Sequence, residues 1–176
     1  MGKPKSATQS EMRQLFDDHL KYEIEMLRDT YIKLLKKIDD QVLANALIES
    51  FAIHARNLDE FLGGTSYFDL SELTTSGYHI NKNVVRDELV KKKLNAQISH
   101  LTKARQSDPS KKLSADDRTE IYDAIAKEIN AFASAIKPPF AATWLPLKPS
   151  RDLGSRDPYS PSTSNHIGMT GGILSK

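Results

Sequence analysis

The chain has no cysteine among its 176 residues, which excludes structural disulfides, thiolate zinc sites and cysteine nucleophiles and fits a cytoplasmic location. It also lacks any run approaching the roughly 18 apolar residues of a membrane span. Its first residues, MGKPKSATQS, have no apolar core of the secretory kind. Neither a membrane partner nor export is expected. A basic surplus on the folded body is missing too: the net charge is +2, and residues 1 to 137 carry 21 Lys+Arg against 21 Asp+Glu. Nucleic-acid binding through a broad phosphate-neutralising face is therefore excluded, and any such role must be local. No phosphate-binding glycine loop, nucleophile elbow or zinc-protease signature occurs, which removes nucleotide hydrolysis and proteolysis from consideration.

What is present is helical periodicity. Apolar residues recur at Leu15, Tyr22, Met26, Leu27, Tyr31, Leu34, Leu35 and Ile38, predicting a long first helix over 10 to 38 with a bend near Asp29-Thr30. Asp39 or Asp40 caps a second helix, whose stripe runs Leu43, Leu47, Phe51, His54, Leu58, Phe61, Leu62 until Gly63-Gly64 stops it. Residues 63 to 80 hold three glycines and no sustained period, so they read as a structured loop with one short turn.

Asn81 or Asn83 is the expected cap of a third helix bearing Val85, Leu89, Val90, Leu94, Ile98 and Leu101. Ser114-Ala-Asp-Asp117 opens a fourth, with Ile121, Ile125, Ile129, Phe132 and Ile136, up to Lys137-Pro138. The expected fold class is all-α: an up-and-down four-helix bundle over 10 to 137, after a flexible N-terminus over 1 to 9. Six of the eight prolines lie between 138 and 161, so residues 138 to 176 read as an extended, largely disordered Pro/Gly/Ser-rich tail. Its first part, Phe140 to Leu147, is apolar enough to lie against the bundle.

The polar residues inside the helices bear on function. On a 3.6 period His54 sits between Phe51 and Leu58 on the apolar stripe, whereas Arg56 is about 200 degrees round from it. A histidine in that position is expected to form part of a structural polar core, hydrogen-bonded to a neighbouring helix. Arg56 and Asn57 are expected at an interhelix contact or a dimer face, with Glu49 and Glu60 holding Arg56. His100, at the border of the third helix's stripe, is the better placed acid or base.

The segments NALIESFAIHARNLDEF (45 to 61), INKNV (80 to 84) and LNAQISHLTKAR (94 to 105) resemble the HEPN superfamily, in particular its abortive-infection branch of small bacterial helical proteins. The resemblance implies a usually dimeric bundle with a role in phage defence or stress, in which an Arg followed four to six residues later by His performs metal-independent RNA cleavage. His100 matches the histidine of that motif, but Asn95 stands where the arginine would be, and asparagine supplies no charge to a phosphate. The reading is thus of a ribonuclease or of a degenerate RNA-binding relative without cofactor. His100 would move the proton, Asn95 would position the phosphate, and Arg105 or Lys93 would offset its charge.

A metal centre is the weaker chemical reading. His19, Glu23, Glu49, His54, His100 and Glu128 could converge, but the Glu-x-x-His motif of di-iron bundles is absent, and Glu49 and His54 lie about 140 degrees apart on their helix. The rival to both is a non-enzymatic helical protein-interaction module whose polar helix positions fix packing and whose tail binds a partner.

Overall fold

The structure, a computed structural model, describes residues 8 to 64, 69 to 81, 84 to 98 and 112 to 153. It is an all-helical bundle. The first helical arm has three parts: α1 (Gln9–Gln14), a π-helical turn (Leu15–Leu20) and α2 (Lys21–Leu34). Then come α3 (Gln41–Leu62), the single turn α4 (Leu70–Leu73), α5 (Glu88–Ile98) and α6 (Ala115–Ala135), with a 3-10 turn at Ser150–Asp152. Among the described residues the sole β pairing is an isolated bridge between Thr74 and Ile136.

Caps place the helix ends. Thr8 and Glu11 form a capping box on α1, and Ser114 and Asp117 form one on α6, each satisfying backbone N–H groups that a helix start leaves free. The Asp40 carboxylate accepts from the N–H groups of Val42 and Leu43 at 2.8 and 3.1 Å, opening α3. Gly64, at φ +73°, ends that helix in the left-handed region that a side chain disfavours.

α5 starts later than the sequence suggests. Its cap is Asp87, whose Oδ1 accepts from Leu89 N and Val90 N, and Asn81 instead donates to Glu128. The reason is tertiary. Val84 and Val85 are buried ahead of the helix, and the buried Asp59 carboxylate accepts the Val85 N–H at 3.1 Å, holding this stretch out of the helix.

The interruption of the first arm also differs in place. It falls at Leu15–Leu20, whereas Thr30 simply donates its hydroxyl to the carbonyls of Met26 and Leu27. With the π turn, the buried row becomes Leu15, Phe16, Leu20, Ile24, Leu27 and Tyr31, and Tyr22 and Leu35 are left exposed.

α3 folds back along α2, as Tyr31 against Phe51 and Glu23 against His54 show. α6 closes the bundle: Tyr31 stacks on Tyr122 at 4.2 Å between ring centroids, and Phe16 lies near Phe132. Burial pushes the Tyr122 hydroxyl's pKa up, keeping it a donor. α5 is tied to α3 by Lys91–Asp59 (3.4 Å) and to α6 by Lys93–Asp117 (2.8 Å).

After a cis Pro138–Pro139 peptide the chain runs back over the bundle. Trp144 and Leu147 are buried, and Phe140 is packed against the core. Residues 148 to 150, which by composition belong to the unordered tail, are held by hydrogen bonds to Tyr122 and Asp123.

Candidate functional site

The helical period that buries Phe51, Ala55, Leu58 and Leu62 also turns His54 inward, where it is 6% exposed. His54 Nδ1 lies 2.7 Å from Glu23 Oε2 on α2. Asn57, one turn further along α3, donates its amide to both Glu23 oxygens at 3.2 Å. Since Glu23 accepts from both neighbours, Nδ1 carries the imidazole proton. Tyr22 meets the imidazole edge-on, with centroids 5.4 Å apart. This group spans the α2–α3 seam, with both Glu23 oxygens bonded to Asn57 and one of them also to His54.

Outside that seam lies a second face of α3. Val42, Ala46, Glu49, Ile53, Arg56 and Glu60 recur at spacings of four and three, so they line one side of the helix. Val42 is 79% exposed and Ile53 40%, and Leu43, next to Val42 in the chain, is exposed as well. Arg56 Nε donates to Glu60 Oε1 at 2.8 Å; no bond from Glu49 to Arg56 is seen.

On α5, Lys93 donates to both Asp117 oxygens, at 2.8 and 3.1 Å. Burial pushes the Asp117 carboxyl up, but the bonds from Lys93 and Ser114 outweigh it and leave the group below the usual carboxylate range. A phosphate recruiting Lys93 would have to replace this partner. Asn95 is exposed on the same helix, and so is Lys92. His100 and Arg105 lie outside the described residues. Of the residues weighed as metal ligands, Glu23 meets His54, while Glu128 binds Tyr78 and Asn81 on another side. Among the described residues no three such side chains gather at one point.

The Glu128 cluster was not foreseen. Tyr78 donates its hydroxyl to Glu128 at 2.9 Å, and burial, reinforced by that carboxylate, pushes the tyrosine's pKa up. Shallow clefts of about 480 and 380 Å³ flank the glutamate, between α6 and the loop carrying His79 and Arg86. Nothing in the spacing of Tyr78, Asn81 and Glu128 could have joined them, because the loop crosses to α6 only in three dimensions. Glu23 was visible as a polar residue on the first helix. Its pairing with His54 required the register of the α2–α3 hairpin.

Comparison with protein-family models, with curated proteins and with solved structures gives no match.

Proposed function

We propose that this chain is a non-enzymatic helical interaction module that associates with a second copy of itself through the outer face of α3. The observation that carries the reading is the exposed row Val42, Ala46, Ile53, with the Arg56–Glu60 pair on the same face, on a helix whose other face forms the bundle centre. An apolar row with an arginine and a charged rim is the composition of recognition surfaces. The polar residues of the α2–α3 and α5–α6 seams support the same reading, since Glu23, His54, Asn57, Lys93 and Asp117 bond from one helix to the next.

Two changes on that face, Val42→Asp and Ile53→Asp, test it. In light scattering coupled to size exclusion, the parent is expected to run as a dimer and the double variant as a monomer. Far-UV CD should hardly move, because surface substitutions leave the helices intact, while the urea midpoint falls as the stabilisation by association is lost. A parent that is monomeric over the whole accessible concentration range, or a variant that stays dimeric, removes the reading.

The second reading is RNA binding or metal-independent RNA cleavage of the HEPN-like kind, in defence or stress. It is favoured by the exposed Lys92 and Asn95 on the helix leading toward His100 and Arg105. It predicts RNA cleavage that survives EDTA and disappears in His100→Ala. Absence of both cleavage and RNA binding by folded parent protein would remove this second reading and leave the interaction module.

A further inference from the structure

The segment after Pro139 is held on the bundle as a bound peptide is held. Its anchors come at intervals: Phe140, Trp144 and Leu147 turn inward, whereas Leu145 is 74% exposed and Pro146, Lys148 and Pro149 also face out. Phe16 stacks with both Phe140 and Trp144, at 5.4 and 6.3 Å between centroids.

Polar contacts then read the segment's backbone. Asn130 donates to the Leu147 carbonyl at 2.8 Å and accepts from the Leu147 N–H at 3.0 Å. The Tyr122 hydroxyl donates to the Lys148 carbonyl, and Asp123 accepts from the N–H and hydroxyl of Ser150. Pro149 has φ −57° and ψ 150°, the polyproline II conformation. Pro146-Leu-Lys-Pro149 has the proline spacing of segments that dock in that conformation, with side-chain donors reaching their carbonyls.

From these contacts we infer that the face of α6 carrying Tyr122, Asp123 and Asn130, together with Phe16 of the π turn, is a recognition groove for an extended proline-containing peptide. Residues 140 to 150 occupy it in cis, and the same segment of a second copy fits it in trans. This surface is separate from the outer face of α3 and does not depend on that reading. Among the described residues the buried Trp144 indole N–H meets no acceptor, a cost that the segment would not carry if it lifted into water.

Two measurements on the full chain test the inference. In the unaltered protein, hydrogen exchange at the amides of Leu147 and Ser150 should run at least about a hundredfold faster than at Phe51 to Leu58, because the segment lifts off while the bundle stays folded. Equal protection in the two places would make the segment an integral part of the core and overturn the inference. In the second, Trp144→Ala with Leu147→Ala vacates the groove, and a labelled synthetic peptide of residues 140 to 153 is titrated by fluorescence anisotropy.

Saturable binding to the folded variant is expected. It should fall about tenfold when Asn130→Ala is added, since two hydrogen bonds to the peptide backbone are lost. The parent should bind the peptide far more weakly, because its own segment competes at a local concentration in roughly the millimolar range. No binding by the folded variant, or binding indifferent to Asn130, would overturn the groove assignment. If the double variant does not fold, the exchange comparison decides.

Discussion

Phe16→Ala is expected to lower the unfolding free energy by about 3–5 kcal/mol, the range for removing a buried aromatic ring. The ring is almost wholly buried and contacts three others: Phe132 of α6, and Phe140 and Trp144 of the segment that returns over the bundle. Its loss opens a cavity where three parts of the chain meet, so the site has little freedom to collapse. Urea unfolding read by CD would measure the change as a shift of midpoint at constant slope. A cost below about 1.5 kcal/mol, the range for a volume-conserving swap, would mean that these rings do not pack as described. Phe16→Leu keeps part of the volume and should cost less than the alanine change, which separates cavity formation from a general intolerance of substitution.

The second large effect concerns the α2–α3 seam. His54→Ala leaves Glu23 without its buried donor, and Glu23→Ala leaves the His54 Nδ1–H without an acceptor; each should cost about 1–3 kcal/mol. The double variant should cost clearly less than the sum, because removing both partners orphans neither. Strict additivity in that cycle would show that the 2.7 Å contact contributes no coupling. Arg56→Ala is the control. Its bond to Glu60 lies on the surface between two exposed side chains, and such pairs contribute between zero and about 1 kcal/mol. If Arg56→Ala cost as much as His54→Ala, the assignment of one residue to the seam and the other to the outer face would be wrong.

These two predictions also show where sequence reasoning succeeded and where it stopped. α3 and α6 were legible nearly to the residue, because Asp40 and Ser114 cap them through contacts that span only a few positions, and because their apolar periods are regular. The inward turn of His54 followed from the same period. Phe16, Leu20 and Ile24 escaped it, because the π turn changes the angle per residue just where a 100-degree rule was applied.

The start of α5 escaped for a different reason. Asn81, Asn83 and Asp87 are all competent caps by residue type, and the choice was made by Asp59, 26 positions before Val85 in the chain. Leu89, expected on the buried stripe, is exposed, while Val90 and Leu94 of the same helix are buried. Of the residues assigned to RNA chemistry, Lys93 is held by Asp117, Asn95 is exposed, and His100 and Arg105 lie outside the described residues.

By itself, then, the sequence determined the helical class, the two long capped helices and the inward direction of most of their apolar stripe, Leu43 in the first turn of α3 being exposed instead. Those are local properties, set by spacing and by hydrogen bonds within one turn. Only the tertiary structure decided that Glu23 is the partner of the His54 imidazole, that Glu128 gathers Tyr78 and Asn81, and that Asn130 and Tyr122 hold the backbone of Leu147 and Lys148. In each case the deciding partner is remote in sequence. An unpaired polar group costs free energy once buried, but which group can satisfy it depends on how the helices pack.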